Sequence, residues 1–360
     1  MACAYPQWRI PWTQALLGNG WHRHRLADIY EKRVHNDGVI IQRPEFEMLQ
    51  LEYPNLAKQC QQIPCGKCIQ CRLAYSREWA NRCIAELKTS ANAIFVTLTY
   101  STEYLQFSPY VDPSTGEIGV RPVLVPKDLQ NFFKRFRAFC RDELGYNGIR
   151  FFACGEYGDK GLRPHYHAII YNVPAKIWEN SHKFTPEGAD PVLWTSPLLE
   201  KLWPFGMVVF GDVNWSTCAY VSRYVVKKRK GEDRKAQRVA QEMIFPGQPW
   251  QDEFVRMSRR PGIGREYYEA HKDQMYNDDA MYVNVNGKVQ AVKPAKYYDK
   301  LYDVDHHRKL KQIKLKRSKA GELSLASELA KTDLTEEQYL ILKLESKMQQ
   351  AKKLIRPLED

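Results

Sequence analysis

The sequence predicts an α+β protein with a central antiparallel sheet and helices packed on one face of that sheet. Several short segments alternate between apolar and polar residues or are rich in β-branched residues, which is typical of strands. Two amphipathic stretches with helical spacing lie among them, and the order along the chain is strand, helix, strand, strand, strand, helix. A Cys-rich segment precedes this core, and a charged tail of helix-forming residues follows it.

The composition favours a nucleic-acid partner. The chain has 360 residues, 44% of them hydrophobic, and a formal net charge of +12. This length allows about two domains, or one domain with large additions, and the positive charge favours a polyanion. We find no secretory signal and no run of about 18 apolar residues, so we expect a cytoplasmic protein without membrane contact.

Cysteines form the first motif. The chain has nine of them, an odd number that indicates reduced thiols with metal ligands among them. In Cys65-Gly66-Lys67-Cys68-Ile69-Gln70-Cys71, the two-residue spacing lets a tight turn direct two thiolates at one ion. We include Cys60 as the fourth ligand, with Cys3 and Cys83 as the other candidates. A structural Zn²⁺ is the leading interpretation, and an iron–sulfur cluster or unliganded thiols are the alternatives.

The predicted core follows this motif. Ala93–Tyr100 alternates and is β-branched, which indicates a strand, and Ser101–Val125 has the prolines and glycines of a loop or hairpin. Leu129–Leu144 carries the apolar stripe of an amphipathic helix. Further strands are predicted at Ile149–Gly155 and Gly206–Val213.

Two histidines form the second motif, His165-Tyr166-His167, inside an apolar run. Residues i and i+2 of a strand point to the same face, so the two imidazoles make half of a metal site. Glu156, at the end of the preceding strand, supplies an oxygen across a hairpin. Two imidazoles and a carboxylate can bind Mg²⁺ or Mn²⁺ and polarise a phosphate. The alternative is a histidine pair on the solvated face of an edge strand, with Glu156 as a loop carboxylate.

Two tyrosines form the third motif. Asn214 is a plausible cap for a following helix, and Tyr220 and Tyr224 lie on one face of that helix because they are four residues apart. Tyrosines at this spacing are more often part of a core. However, Lys228 extends the same stripe, and a tyrosine can attack phosphorus when a metal stabilises the phosphate oxygens.

The three motifs together resemble those of HUH endonucleases, the initiators of rolling-circle replication. The motifs that carry the resemblance are Phe95–Tyr100, the Glu156…His165-Tyr166-His167 hairpin and Tyr220…Tyr224. The Cys65–Cys71 segment, Gly155-Glu156-Tyr157-Gly158 and Arg163-Pro164-His165-Tyr166-His167 are similar to initiators of gokushovirus-type microviruses, which are bacteriophages with single-stranded DNA. The resemblance covers roughly residues 60–270 and implies an HUH core of the ferredoxin-like, RRM-like type.

The resemblance also implies an activity. It implies that Tyr220 or Tyr224 nicks one strand of single-stranded or locally melted origin DNA, which leaves a 5′-phosphotyrosyl link and a free 3′-hydroxyl. A second transfer then closes the displaced circle. The residue before the second tyrosine is often Lys in this class and is Arg223 here, so we assign the phosphate-binding cation to Lys227 or Lys228. Host helicase and DNA polymerase are the implied partners, in the cytoplasm of a host bacterium.

Two other functions and a domain division complete the sequence-based interpretation. The alternatives are a non-enzymatic, zinc-containing nucleic-acid-binding protein and an HUH relaxase or transposase with the same chemistry. We divide the chain into an N-terminal arm with the cysteine cluster, an endonuclease core, a basic DNA-contacting extension and a charged helical or partly disordered tail, at residues 1–90, 91–230, 231–302 and 303–360. The sequence does not fix the oligomeric state.

Overall fold

The computed structural model describes residues 3–11, 34–35, 38–111, 115–158, 161–185, 191–227, 239–247, 250–285 and 287–352. The chain forms two compact units, one made of residues 1–74 and 311–360 and the other of residues 75–310. The larger unit contains a seven-stranded antiparallel sheet with helices. The predicted α+β class with a large antiparallel sheet is therefore confirmed.

The elements are as follows in chain order. The N-terminal part has β1 (Gln7–Pro11), β2 (Val34–His35), β3 (Gly38–Ile41), α1 (Arg43–Glu52), α2 (Pro54–Ala57), β4 (Gln61–Ile63) and α3 (Ile69–Thr89). The central part has β5 (Ala93–Thr99), β6 (Phe107–Val111), β7 (Ile118–Pro122), α4 (Pro126–Leu144), β8 (Arg150–Tyr157), β9 (Pro164–Tyr171), β10 (His182–Lys183), β11 (Trp194–Thr195), α5 (Pro197–Leu202), β12 (Val208–Asp212) and α6 (Trp215–Lys227). The C-terminal part has β13 (Phe254–Met257), α7 (Arg265–Asn277), β14 (Met281–Val285), β15 (Lys288–Val292), α8 (Lys296–Leu329) and α9 (Glu336–Lys352).

The first unit contains a small four-stranded sheet in the order β2-β3-β1-β4. Ile10, Val39 and Ile41 are fully buried, and the ring of Trp8 stacks on Phe46 with centroids 4.5 Å apart. The N-terminal segment, for which the sequence suggested either an irregular arm or a subdomain, thus has a hydrophobic core of its own within the described residues.

The seven-stranded sheet of the second unit has the order β10-β11-β12-β5-β9-β8-β13. The strand with the two histidines, β9, lies in the middle, between β5 and β8, and every residue of it is buried. The alternative in which the histidines decorate a solvated edge strand is therefore wrong.

Helices contact both faces of this sheet. On one face, Phe132 and Phe136 of α4 belong to the same buried cluster as Ala168 of β9. On the other face, Trp79 of α3 stacks on Phe152 of β8 at 5.2 Å, and α6 also contacts the sheet. The sequence predicted helices on one face only. The second layer is needed because the central strands carry apolar side chains on both faces, and both must be covered.

The helix with the two tyrosines, α6, begins at its predicted position. The Asn214 side chain accepts a hydrogen bond from the backbone N–H of Thr217 at 3.0 Å, which satisfies a free donor of the first turn. Farther along, α8 and α9 form the helical C-terminal part that the sequence predicted. No helix in the part of the chain that the structure describes is both long and apolar enough to cross a membrane.

Candidate active site

The pairing of β8 with β9 brings the predicted carboxylate and the two imidazoles together. Glu156 lies directly opposite His165 in the antiparallel register, and His167 lies two residues farther along on the same face. The Glu156 Oε1 atom is hydrogen-bonded to His165 Nε2 and lies 2.8 Å from His167 Nε2. The hairpin register therefore creates the three-residue cluster that the sequence predicted.

The second nitrogen of each imidazole is also held. His165 Nδ1 donates to the backbone carbonyl of Arg163 at 3.1 Å, and His167 Nδ1 lies 2.9 Å from the Thr97 hydroxyl. A carbonyl can only accept, so the His165 Nδ1 must carry the proton, and in the neutral ring the lone pair is then on Nε2. Metal-binding histidines are oriented in this way by outer hydrogen bonds.

The cluster is buried and negatively charged at its carboxylate. Glu156 is fully buried, and His165 and His167 are 8% and 6% exposed. Burial opposes the charge on Glu156, but the hydrogen bonds from the two histidines outweigh it and lower the pKa to about 2. The three ligand atoms lie within 4.8 Å of one another, so these residues can hold a divalent cation.

The phenol of Tyr220 reaches this cluster from α6. Its hydroxyl lies 3.1 Å from Glu156 Oε1 and 3.2 Å from His167 Nε2. Its ring meets the His167 ring edge-on at 5.0 Å and the Phe95 ring at 6.1 Å. A tyrosine 53 residues from His167 in the chain is thus within hydrogen-bond distance of two candidate metal ligands.

The other residues predicted to act with Tyr220 are described only in part. Tyr224 and Lys227 lie on α6, but their side chains are outside the described residues, and Lys228 lies outside them altogether. Arg223 has its guanidinium 5.4 Å from the Tyr220 ring centroid. Burial lowers the pKa of Arg223, and its neighbours Tyr220 and Glu156 oppose that effect. Sequence reasoning passed over Arg223, although its spacing of three from Tyr220 places it on the same side of the helix.

A second cluster of ligand atoms lies in the first unit. The Sγ atoms of Cys3, Cys65, Cys68 and Cys71 are within 4.8 Å of one another. Three of the separations are 3.8 Å for Cys3–Cys68, 4.0 Å for Cys65–Cys71 and 3.5 Å for Cys3–Cys71. Four thiolates about 2.3 Å from a tetrahedral Zn²⁺ are about 3.8 Å apart. The four cysteines therefore have the spacing of a metal site.

Backbone and thiol hydrogen bonds support the thiolate form in this cluster. The N–H groups of Lys67 and Cys68 donate to the Cys65 sulfur at 3.4 Å, and the Cys65 N–H donates to the Cys3 sulfur at 3.3 Å. Gly66 makes the turn possible with φ +72°. Hydrogen bonds from Cys3 and Cys71 lower the pKa of the Cys68 thiol, which favours the deprotonated sulfur that metals bind.

The fourth thiol of the cluster is Cys3 rather than Cys60. The Cys60 sulfur donates to the Leu56 carbonyl at 3.5 Å, and burial raises the pKa of that thiol to about 11. Cys83 is fully buried within α3 and is not part of the cluster either. Local helix geometry turns Cys60 back on its own segment, although it is much closer in sequence to the Cys65–Cys71 motif.

Comparison with known proteins relates this chain to phage replication proteins. A family model for the replication-associated protein ORF2 matches residues 93–229. The chain is 30% identical to the replication-associated protein ORF2 of Spiroplasma virus 4 over 300 residues, which cover 82% of this chain and 86% of that protein. Among solved protein structures, none matches.

Two further relatives have the same description. The chain is 29% identical to the replication-associated protein VP4 of Bdellovibrio phage phiMH2K, over 72% of this chain and 75% of that protein. It is 28% identical to the replication-associated protein ORF4 of Chlamydia phage 1, over 46% of this chain and 38% of that protein. These relatives confirm the predicted resemblance to microvirus replication proteins.

Proposed function

Since the chain belongs to the family of phage replication-associated proteins, we propose that it initiates rolling-circle replication by nicking one strand of origin DNA with Tyr220. The observation that carries this proposal is the meeting of the Tyr220 hydroxyl with Glu156 and His167, at 3.1 and 3.2 Å. A core tyrosine would need no cluster of metal-ligand atoms beside its hydroxyl. A nucleophile that attacks a metal-bound phosphate requires one.

The reaction that we propose is a transesterification. The Tyr220 oxygen forms a bond to phosphorus, the bond from phosphorus to the 3′ oxygen breaks, and the departing oxygen takes up a proton to become a free 3′-hydroxyl. Glu156 and His167 are the groups within reach of the phenolic proton. A Mg²⁺ or Mn²⁺ bound by Glu156, His165 and His167 supplies positive charge to the non-bridging phosphate oxygens.

A protein cation beside the tyrosine serves the same charge. Arg223 is buried next to the Tyr220 ring, and we assign it the role of a phosphate-binding cation together with Lys227 or Lys228. Tyr224, one turn farther along α6, is the second nucleophile in this proposal. A second attack by Tyr224 transfers the strand without releasing it, so the displaced circle can be closed.

The cellular setting follows from the same proposal. The substrate is single-stranded or locally melted origin DNA, and the free 3′-hydroxyl serves the DNA polymerase of the host bacterium. A host helicase unwinds the duplex, and the reaction takes place in the host cytoplasm.

The experiment is covalent attachment to an origin oligonucleotide in the presence of Mn²⁺. We expect Tyr220→Phe to lower the rate of adduct formation by about 10³-fold or more, because it removes the attacking oxygen. The matched control is Tyr282→Phe, since Tyr282 is 40% exposed in β14 and outside the cluster. Unchanged adduct formation by Tyr220→Phe contradicts the assignment. A wild-type protein that binds DNA without an adduct supports the non-enzymatic alternative.

We further propose that the cysteine cluster holds a structural Zn²⁺. Four sulfur ligands fill the tetrahedral positions of zinc and leave no position for a substrate. The sulfur separations of 3.5 to 4.0 Å and the three N–H donors to sulfur support a preformed four-cysteine site. In this role the metal joins Cys3 to a loop more than 60 residues away.

A further inference from the structure

An arginine-lined groove lies at the other end of β8 from Glu156. It has a volume of about 820 Å³, and Arg137, Arg150, Arg259 and Arg260 all line it. Among the described residues that line the groove, Glu266 alone is acidic. Phe151 to Glu156 is five residues along the strand, so the groove lies about 17 Å from the tyrosine cluster. The proposed nicking reaction makes no use of this surface.

Two of the arginines are held in place by the protein itself. Arg150 pairs with the buried carboxylate of Glu86 and donates to the Pro261 carbonyl at 3.0 Å. Arg137 donates to the Ile149 carbonyl at 3.4 Å. Burial lowers the pKa of Arg137, and the positive charge of Arg150 lowers it further. Positive charge is thus concentrated here without enough carboxylate to balance it.

The other two arginines stand on a loop that is fixed from below. The Ser258 N–H donates to the Phe151 carbonyl at 2.9 Å, and its hydroxyl accepts from the Phe151 N–H at 3.1 Å. Glu86 accepts from the Gly264 N–H at 2.6 Å, and Arg82 donates to the Ile263 carbonyl at 2.9 Å. The loop is therefore anchored at both ends, and the side chains between the anchors are presented on a rigid base.

Arg259 and Arg260 are exposed on this anchored loop. Neither forms an ion pair or a hydrogen bond with any residue in the described ranges. Guanidinium groups that are exposed, rigidly based and surrounded by further arginines are suited to bidentate contacts with phosphate.

We propose that this groove binds the sugar–phosphate backbone of single-stranded DNA, as a second contact beyond the nick site. The inference rests on the proposed function, which makes a single strand the substrate. The dimensions favour one strand, because a groove of about 820 Å³ holds a ligand of roughly nucleotide size and cannot admit a duplex. Phe151 and Met257, which also line the groove, offer apolar surface to a base or sugar of that strand.

The test is the salt dependence of binding to a fluorescein-labelled oligodeoxythymidylate, measured by anisotropy in EDTA so that no cleavage occurs. Loss of two phosphate contacts in Arg259→Ala/Arg260→Ala lowers the slope of log K against log salt by about 1.4, since each contact with a single strand contributes about 0.7. A change of this size is about a tenfold loss of affinity at about 0.2 M salt, relative to about 1 M.

Two matched variants isolate the groove. Lys134→Ala/Lys201→Ala removes the same charge from exposed sites on α4 and α5, and we expect it to keep the wild-type slope. Arg259→Lys/Arg260→Lys keeps the charge, and we expect it to keep most of the slope as well.

Three results would overturn the inference: an unchanged slope in Arg259→Ala/Arg260→Ala, an equal change in the Lys134/Lys201 variant, or a loss seen with duplex DNA alone. A failure of the nicking proposal is separately visible, because it appears as a missing covalent adduct of the wild-type protein with Mn²⁺ and does not affect binding in EDTA.

Discussion

The two clusters of metal-ligand atoms differ in the number of ligands and in what lies beside them. The Glu156, His165 and His167 cluster has three ligand residues on neighbouring strands, and the Tyr220 hydroxyl stands against it. The cluster of Cys3, Cys65, Cys68 and Cys71 has four thiols, the full tetrahedral set. Catalytic metal sites keep a position open for the substrate, whereas structural sites are closed. One chain therefore shows both arrangements, and their ligand sets predict opposite responses to mutation.

The largest expected effect in this comparison is the loss of a ligand from the open site. We expect His167→Ala to lower the rate of DNA cleavage in Mn²⁺ by more than about 10²-fold, because even the outer partners of metal ligands cost about 10- to 100-fold. DNA affinity should be retained, since it rests on Lys and Arg contacts with phosphate. The measurements are cleavage of an origin oligonucleotide and binding of the same oligonucleotide in EDTA.

The control for this variant is His182→Ala, because His182 is exposed in β10 and does not belong to the cluster. If both histidine variants cleave at the wild-type rate, the strand cluster is not the catalytic metal site and the contrast with the cysteines disappears.

Loss of a ligand from the closed site should change metal content first. We expect Cys3→Ser to lower zinc affinity by more than about 100-fold, since a ligand contributes more than an outer partner does. Zinc per chain, measured by mass spectrometry of the purified protein's metal content, should then fall from about one to near zero. Cys60→Ser should keep its zinc, because the Cys60 thiol bonds to the Leu56 carbonyl instead.

A second variant separates loss of metal from loss of folding. Cys3→His offers a nitrogen ligand in place of sulfur, and we expect it to retain zinc. Equal zinc in wild type and Cys3→Ser would show that Cys3 is not a ligand. Loss of zinc in Cys60→Ser alone would return that role to the residue that the sequence favoured.

The strand cluster was predictable because the pattern is local. A period of two puts His165 and His167 on one face, and a short hairpin brings Glu156 opposite. The strands around them were likewise recognisable from β-branched, alternating residues, and observed bounds such as Ala93–Thr99 differ from the predicted ones by a residue or two. Periodicity in the sequence is sufficient wherever neighbours in space are also neighbours in the chain.

Long-range contacts were not predictable in the same way. Cys3 reaches the cluster across 62 residues, and no spacing rule distinguishes it from Cys60, whose thiol is directed by the helical turn that precedes it. The second helical layer was missed for a related reason, since the order of elements does not tell which face each helix covers. Arg223 was passed over because a buried cation beside a tyrosine is recognised only from burial, which the sequence does not give.

The smallest effect, and the most specific to the open site, concerns Thr97. Its hydroxyl lies 2.9 Å from His167 Nδ1 and orients the ring without touching the ligand nitrogen. We expect Thr97→Val to raise the Mn²⁺ concentration for half-maximal cleavage by about 10- to 100-fold, with the rate recovering at saturating Mn²⁺. Thr97→Ser keeps the hydroxyl and should behave as wild type. Because Thr97 has no connection with the cysteine thiols, zinc content should be unchanged in both variants. A Thr97→Val protein with the wild-type Mn²⁺ requirement would mean that the strand register alone positions His167.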